Sequence, residues 1–440
     1  MTTTETSPSR PAQGGNGRPS GGGDRGALVR LLVVVAGGVV AAYLTGVTQT
    51  VLVVVAIVVM IMLHELGHFA TAKWSGMKVT EYFLGFGPKL WSVRRGETEY
   101  GVKAIPAGGY VKIIGMSNLE TVDPADEART YRQQPFRNRL AVAVAGSTVH
   151  FILAFLLLWS IFAVVGLVDY DKPQLQIGSI SRLATGPSPA QQAGLAVGDK
   201  LVAVDHAAVA NWDAVTSYIR KRPGRTIVFT VQRGQRRLEL PVVPADLAKV
   251  DPGPNVATGK PSKAPRGYVG IGATYPVVKA GPIESLGKAT TGLGRASVDT
   301  VKALGAIFSP SGASSYGRQL VGDRGDQAQP GGDDPRFLSP VGFVRVASQA
   351  ADTGWREVLT LLFSINVFVG LFNMIPLLPL DGGHVAIATY ERIRSRRGHR
   401  YQADIAKVMP IYYAVFLLIV FIGVSSLYLD VVKPLSNPFQ

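Results

Sequence analysis

Apolar stretches of about twenty residues constrain the fold of this chain more than any other feature of its sequence. A helix of ~20 residues crosses the ~30 Å hydrocarbon layer of a bilayer. Four runs approach that length: about Ala27 to Thr45, Thr50 to Thr71, Leu140 to Leu167, and Ile411 to Leu427. The sequence therefore predicts a polytopic α-helical membrane protein.

A fifth apolar region, from about Val358 to Leu380, is interrupted by asparagines and prolines, namely Asn366, Asn373, Pro376 and Pro379. Irregular backbone is tolerated at membrane depth only where it faces protein or a water-filled cavity. We therefore expect this region to line a polar cavity. The first apolar run is also consistent with an uncleaved signal anchor or a signal peptide, which leaves four or five spans open.

Basic residues predict the orientation, since cytoplasmic loops carry an excess of Lys and Arg. They flank the loop between the second and third runs and crowd the loop after the broken region, which predicts that both loops are cytoplasmic. The members are Lys73, Lys78, Lys89, Arg94, Arg95, Arg137 and Arg139, then Arg392, Arg394, Arg396, Arg397 and Arg400. We therefore interpret the net charge of +15 as membrane orientation and not as nucleic-acid binding. The chain has no cysteine, so thiolate ligands, thiolate nucleophiles and disulfides are excluded.

Composition and pattern divide the chain into seven regions. Within them, Thr98 to Ile113 has the pattern of a short β-hairpin or strand pair, Ile283 to Phe308 that of a helix on the membrane surface, and Ser309 to Asp334 that of a loop. The regions are a disordered tail (1–25), N-terminal transmembrane helices (26–72), a cytoplasmic membrane-associated hairpin region (73–139), a transmembrane helix (140–168), a mixed α+β domain (169–250), a linker and membrane-proximal segment (251–355), and C-terminal transmembrane helices (356–430).

The strongest chemical signal is His64-Glu65-Leu66-Gly67-His68, near the end of the second apolar run. On a helix, positions i and i+4 lie on one face, so both imidazoles can bind one Zn²⁺ while Glu65 acts as general base. Isolated motif matches arise by chance, but two histidines and a glutamate in an apolar span are costly unless they are functional. The motif therefore predicts a zinc site inside the membrane.

A catalytic zinc site normally has three protein ligands and one open position. The best candidate for the third ligand is Asp381, in the segment Asn373-Met-Ile-Pro-Leu-Leu-Pro-Leu-Asp-Gly-Gly383. A carboxylate between prolines and a glycine pair at membrane depth indicates a polar cavity. The alternative is a helix cap at the cytoplasmic edge. His384 is expected near the metal or on the surface, and not as a ligand.

Together, the HELGH helix, the segment Phe83-Leu-Gly-Phe-Gly-Pro88 and the NxxPxxPLDGG run resemble the site-2 protease family of intramembrane zinc metalloproteases. The resemblance is to the bacterial RseP-like branch and covers the chain from about residue 50. It implies one Zn²⁺ per chain held by His64, His68 and Asp381, with Glu65 as catalytic base and Asn373 near the substrate or the developing oxyanion. It also implies that the stretch with Gly108, Gly109 and Tyr110 binds substrate as an added strand.

One departure concerns the third apolar run, where the family often has a GxxxN pattern and this chain has His150 in place of the asparagine. His150 is expected either to hydrogen-bond near the substrate or to be a satisfied polar residue between helices. A third alternative is that the His150 imidazole competes for zinc.

The outer domain resembles the PDZ domain of the same branch, most visibly from Ser188 to Asp205. PDZ domains bind an extended peptide end as an added strand, although a domain that only excludes bulky ectodomains is equally consistent with the sequence. The resemblance implies a multi-pass protein of the bacterial cytoplasmic membrane with the PDZ-like domain outside. Its expected substrates are single-pass membrane proteins already trimmed by another protease, such as anti-sigma factors or signal-peptide remnants.

Two rival functions remain. A catalytically inactive membrane PDZ scaffold would keep a structural metal site but would have no need for a base such as Glu65 beside the metal. A zinc transporter would need further polar residues leading away from the site, and the sequence shows one compact ligand set. The sequence therefore favours an enzyme.

Overall fold

A computed structural model describes residues 25–116, 120–183, 186–250, 264–321, 337–395 and 401–433. The predicted tail, most of the predicted linker and three of the predicted cytoplasmic arginines lie outside these residues. By contact pattern the chain forms two units, which are residues 1–150 with 372–417, and residues 151–371 with 418–440.

Within the described ranges, five helices are long and apolar enough to cross a membrane. Their candidate spans agree with a polytopic membrane protein, and large apolar side chains such as Val34 and Leu417 are exposed on them. Such surfaces are expected to face lipid. The five helices are α1 (Arg25–Leu44), α2 (Thr48–Trp74), α3 (Phe136–Ser160, continued by a π-helical turn at Ile161–Val165), α9 (Trp355–Asn373) and α11 (Ile405–Val432).

The first unit contains α1, α2, a β-hairpin, the start of α3 and helix α10 (Asp381–Arg394). The hairpin pairs β1 (Val79–Arg95) with β2 (Thr98–Ile113) in antiparallel register. Thr98 to Ile113 is extended throughout, but Phe83 of β1 is paired with both Gly101 and Tyr110, so the two ends of this stretch lie on the two sides of β1. This register agrees with the expectation of a strand pair within Thr98 to Ile113. The chain also reverses at Gly96, whose φ of +63° suits the two-residue turn.

A small apolar core holds the hairpin against α2 and α3. Its buried members are Ala72, Met77, Val79, Ile113, Tyr131 and Val142, with Phe69, Val111 and Met116 packed around them. These residues come from the end of α2, both strands, the connecting loop and the first turns of α3. The core therefore fixes β2 beside the helix that carries the two motif histidines.

The second unit contains an antiparallel sheet of order β11-β4-β5-β7-β8, with β6 paired to β5. Helix α5 presents Trp212, Val215 and Ile219 to its core, and Asn211 caps the helix by accepting the N–H of Ala214. The elements are β3 (Leu167–Val168), β4 (Gln174–Ile180), α4 (Pro189–Gln192), β5 (Lys200–Val204), β6 (Ala207–Ala208), α5 (Trp212–Arg220), β7 (Ile227–Arg233), β8 (Arg236–Val242), β9 (Ala245–Asp246), β10 (Gly267–Tyr268), β11 (Ile271–Thr274) and β12 (Val277–Val278).

In the described part of this unit, three further helices precede α9. They are α6 (Pro282–Ile307), α7 (Pro310–Val321) and α8 (Pro340–Thr353). The expectation of a loop from Ser309 to Asp334 is wrong over α7. The helix starts there because Pro310 suits the first helical position and the Ser309 hydroxyl accepts the N–H of Gly312 at 3.1 Å.

Candidate metal centre

The two motif histidines share one face of α2. His64 and His68 are both 7% exposed, and their Nε2 atoms lie 3.2 Å apart. Their rings meet edge to face, with centroids 4.8 Å apart. The helical spacing of four residues therefore brings two imidazole nitrogens to one point.

Helix α3 passes close to this face because it carries glycine there. A Cβ atom built on Gly146 would overlap the rings of both His64 and His68. On the α2 side, a Cβ on Gly67 would lie 2.9 Å from the carbonyl oxygen of Ala145, which is too close. Only glycine at both positions allows the two helices to approach this closely.

A backbone carbonyl of α3 orients one of the imidazoles. Nδ1 of His68 lies 2.7 Å from the carbonyl oxygen of Val142. A carbonyl only accepts hydrogen bonds, so Nδ1 carries the proton and the lone pair of the neutral ring is on Nε2. Such a partner on the far nitrogen is typical of histidines that bind metal.

Asp381 supplies a third ligand atom to the same point. Its Oδ2 lies 3.5 Å from Nε2 of His64 and 3.3 Å from Nε2 of His68. It has no hydrogen-bond donor among the described residues. Among the described residues, these three side chains form the group that could hold a metal ion. Each offers one ligand atom, and the three atoms lie within 4.8 Å of one another.

The spacing of these three atoms fits zinc. Zinc–ligand bonds of about 2.0–2.1 Å in tetrahedral geometry place ligand atoms about 3.3 Å apart. The observed separations of 3.2, 3.3 and 3.5 Å agree with that value. Lone pairs that converge in a buried place repel one another unless a cation lies between them, so the donor set fits the metal.

The glycine pair after Asp381 allows α10 to begin at that residue. A Cβ on Gly382 would overlap the carbonyls of Met374 and Ile375, and one on Gly383 would lie 2.6 Å from the nitrogen of Leu378. Leu380 occupies the N-cap position, and Asp381 is the first helical residue. The alternative of Asp381 as a helix cap is therefore wrong.

Glu65 lies on the side of α2 that faces β2. It is half-buried and lies close to the backbone of Val111. The backbone at Gly109 is also close, since a Cβ built there would lie 3.2 Å from Cγ of Glu65. Strand β2 thus runs beside both the carboxylate and the histidine helix.

Two other hairpin residues of the predicted substrate site, Gly108 and Tyr110, differ in backbone conformation and in side-chain contacts. Gly108 has a φ of +148°, which favours glycine. The Tyr110 ring stacks with Phe83 and Phe86 at centroid distances of 5.9 Å, and its hydroxyl donates to Glu81. Burial, followed by the Glu81 carboxylate, raises the pKa of Tyr110. The Tyr110 side chain is therefore engaged within the hairpin.

Three other polar residues were singled out in the sequence as near the metal or the substrate. His150 is 1% exposed, and its ring centroid lies 4.9 Å from that of His64. Asn373 is the last residue of α9 and is half-buried. His384 packs edge-on against Tyr131, with centroids 6.2 Å apart. None of the three contributes an atom to the ligand group found among the described residues.

Two buried residues of this region were not predicted: Tyr131, which packs against α10, and Glu391, which belongs to that helix. Arg139 was predicted only as an orientation signal. A possible signal was the pair of ionisable residues that flank apolar segments, Arg139 at the start of one span and Glu391 before another. Spacing along the chain does not show which of several such residues form an ion pair with each other.

Comparison with known proteins decides the family. Residues 52–322 and 331–419 match the model of peptidase family M50. The zinc metalloprotease Rip1 of Mycobacterium tuberculosis is 34% identical over 409 residues, which covers 88% of this chain and 98% of the relative. The chain belongs to peptidase family M50. This M50 peptidase is thus a zinc metalloprotease of the site-2 protease family, as its motifs predict.

Other relatives of the M50 peptidase carry similar descriptions. The zinc metalloprotease Rip1 of Mycolicibacterium smegmatis is 32% identical over 411 residues, which covers 88% of this chain and 98% of the relative. A putative zinc metalloprotease of Rhizobium meliloti is 29% identical over 353 residues, covering 77% and 85% respectively. The similarity therefore extends over most of the M50 peptidase.

Proposed function

We propose that this peptidase hydrolyses peptide bonds inside the bilayer, within membrane-spanning segments of other membrane proteins. The observation that carries the proposal is the place of the ligand cluster: His64 and His68 lie in α2, a helix long and apolar enough to span a membrane. Ionisable groups in such a helix are costly and mark functional sites. A centre at this depth acts on bonds that soluble proteases do not reach.

The proposed roles follow from the chemistry of each group. His64, His68 and Asp381 hold zinc, which when bound polarises the substrate carbonyl and makes water more acidic. The Glu65 carboxylate accepts a proton from the attacking water and passes it to the nitrogen of the departing peptide. Water thus adds across one C–N bond, which gives a new carboxyl group and a new amine.

The substrate backbone is proposed to lie along β2 at Gly108, Gly109 and Tyr110. A transmembrane helix has its carbonyls hydrogen-bonded internally, so the segment must unwind before cleavage. An exposed strand edge supplies replacement hydrogen bonds to an extended peptide. The closeness of Gly109 and Val111 to Glu65 supports this placement.

Asn373 and His150 are proposed to complete the substrate site. The Asn373 amide is a suitable donor to the developing oxyanion. His150 lies beside His64 without joining the ligand group, which favours a contact with substrate over a role as ligand. We expect His150→Asn to preserve cleavage and His150→Leu to impair it, with zinc content unchanged in both.

We further propose that the chain is a multi-pass protein of the bacterial cytoplasmic membrane, with residues 169–250 as a PDZ-like domain outside. Basic residues near the ends of α2, α3 and α10 support this orientation. Its proposed substrates are single-pass proteins already trimmed outside, such as anti-sigma factors or signal-peptide remnants. Deleting residues 169–274, which removes every strand of the six-stranded sheet including β11, separates two roles for the domain: a size filter would then admit untrimmed proteins, whereas a peptide-end receptor would lose trimmed ones.

The Glu65→Gln variant tests the proposal. It should keep the zinc content of the parent, because Glu65 is not a proposed ligand. Loss of the general base should slow cleavage by at least ~10²-fold. In native membranes, mass spectrometry of protein termini should then show shortened membrane proteins that accumulate with an uncut transmembrane segment.

A matched control is Glu284→Gln, which changes an exposed glutamate of α6 in the same way. It should process the same membrane proteins as the parent. The rival function, an inactive membrane scaffold, predicts that Glu65→Gln and Glu284→Gln give identical membrane proteomes. That result would reject the protease mechanism.

A further inference from the structure

A buried ion pair lies in the unit that carries the metal cluster, and the proposed reaction does not use it. Arg139, in the first turn of α3, donates to Glu391 of α10. Their side chains are only 9% and 6% exposed. Burying two charges in this way usually adds little net stability compared with apolar residues of the same size, although removing one partner alone is costly. The pair therefore calls for a role other than stability.

Both carboxylate oxygens of Glu391 have partners. Oε2 accepts from Arg139, and Oε1 accepts the backbone N–H of Ala403 at 2.7 Å. Glu391 is thus held from two directions, by the start of α3 and by the segment that precedes α11. A rotation or a slide of α10 would break both hydrogen bonds in a buried place.

Helix α10 carries the third proposed zinc ligand on the same face as Glu391. Asp381, His384, Ala388 and Glu391 follow a spacing of i, i+3, i+7 and i+10, which aligns side chains along one side of a helix. Ala388 is 1% exposed and Glu391 is 5% exposed, so this side faces protein. Fixing Glu391 therefore fixes the rotation of the helix that presents Asp381.

Tyr131 connects this face to the helix of the two histidines. Its ring packs against His384, and its hydroxyl donates to the carbonyl oxygen of Arg139 at 3.2 Å. The same ring belongs to the apolar core with Ala72 of α2 and Val142, whose carbonyl orients His68. One continuous set of contacts thus joins the supports of all three ligands.

We propose that Arg139 and Glu391 are positioning residues, which fix the register of α10 so that Asp381 stays within bonding geometry of His64 and His68. The inference goes beyond the proposed cleavage reaction. It rests on the metal site alone and does not depend on which peptide bond is cut. Its readout is zinc affinity.

The test is the double variant Arg139→Met with Glu391→Leu in the full-length protein. It removes both charges and keeps apolar bulk, a replacement that folded proteins often tolerate. Zinc affinity is measured by competition with a chelator in detergent, and the thermal midpoint is measured on the same sample. We expect a midpoint near that of the parent and a zinc dissociation constant raised about 10–100-fold, as for other changes behind metal ligands.

A second variant keeps the test decisive if the double variant does not fold. Glu391→Asp retains the charge and shortens the side chain by one methylene group, so the pair can re-form only if α10 moves. We expect it to fold and to bind zinc more weakly than the parent. Arg129→Met is the control, since it removes one ion pair of 2.8 Å, with side chains 44% and 26% exposed, and leaves Glu97 paired with Lys73. It should leave zinc affinity unchanged.

Parental zinc affinity in a folded double variant, or in Glu391→Asp where the double variant does not fold, would overturn the proposal, whatever happens to the midpoint. Failure of the cleavage reaction is recognised separately. Glu65→Gln should bind zinc like the parent, and continued cleavage by that variant would reject the reaction while leaving the zinc measurements in force.

Discussion

The first unit, called here the helical unit, contains His64, and the six-stranded sheet of the second unit lies beside Asp199. Both regions bury charged side chains, but the paired residues are separated by very different lengths of chain. In the sheet, Asp199 accepts two hydrogen bonds from Arg233, which is 34 residues away, and one from the nearby N–H of Ala196. In the helical unit, Arg139 and Glu391 are separated by 252 residues. The sheet thus satisfies its buried charge locally, and the helical unit does so only when distant segments come together.

This difference indicates what each buried charge does. A local pair stabilises the fold of its own domain, so its loss should stay within that domain. A pair between distant segments also sets where those segments lie, so its loss should reach the metal cluster. Variants in the two regions should therefore separate stability from zinc binding.

The largest effect is expected at a proposed ligand. Asp381→Asn keeps the shape of the side chain but weakens the ligand, and changes behind a ligand already cost 10–100-fold in affinity. We expect the zinc dissociation constant to rise by at least about 100-fold, with cleavage lost. Chelator competition measures it, and Asp213→Asn, at an exposed position of α5, is the control. Equal zinc affinity in Asp381→Asn and the parent would exclude Asp381 as a ligand.

A smaller effect on the same readout is expected at Gly146. The new Cβ of Gly146→Ala would overlap both imidazole rings, so the rings or α3 must move. We expect zinc binding to weaken about tenfold, within the range for displaced ligand supports. Gly423→Ala is the matched control, because that helical glycine has open space around it. There the change should raise stability slightly, by at most ~1 kcal/mol. Similar zinc affinities in the two variants would count against close packing at Gly146.

In the sheet, Asp199→Asn should act on stability alone. The Asp199 side chain is fully buried, and its loss of charge leaves Arg233 without its counterion. We expect the sheet to lose about 2–4 kcal/mol with unchanged zinc affinity. Hydrogen exchange of the β5 and β7 amides in the full-length protein measures the first quantity. A change in zinc affinity would contradict the separation between the two regions.

The same carboxylate predicts a pH dependence. Hydrogen bonds from Arg233, the largest cause, and from the N–H of Ala196 lower the pKa of Asp199 against the effect of burial. Because the folded-state pKa is depressed, the stabilisation is complete above the unfolded value of about 3.9 and is lost as the pH falls through the folded value. Hydrogen exchange at β5 and β7 should therefore accelerate below pH ~4, and this component should be absent in Asp199→Asn.

The smallest effect is expected at an exposed pair of α6. Nζ of Lys288 lies 2.8 Å from Oε1 of Glu284, and the two side chains are 48% and 61% exposed. Exposed pairs four residues apart on a helix contribute about 0.3–0.5 kcal/mol, so Lys288→Ala should change neither zinc affinity nor cleavage. A clear loss of either would show that exposed charges also matter to the site.

Periodicity and motif spacing predicted much of this protein. The apolar runs predicted the polytopic class, and the HELGH spacing predicted that His64 and His68 share a helix face. The strand pair within Thr98 to Ile113 was predicted, but its pairing with β1 was not, because a strand's own pattern does not identify its partner. The helix at Pro310–Val321 was missed, because its Ser, Gly and Pro residues are equally typical of loops. How Tyr131, Arg139 and Glu391 support α10 was not predictable from local patterns.

By itself, the sequence determined the chemistry available to the chain: which segments suit a membrane, and which side chains offer lone pairs to a metal. These are local properties, because they depend on run length and helical repeat. The tertiary structure decided the rest. It brings Asp381 within 3.5 Å of residues more than three hundred positions earlier, lets glycines admit α3 beside the imidazoles, and pairs Arg139 with Glu391. Such contacts depend on how distant segments pack, and no local pattern encodes that distance.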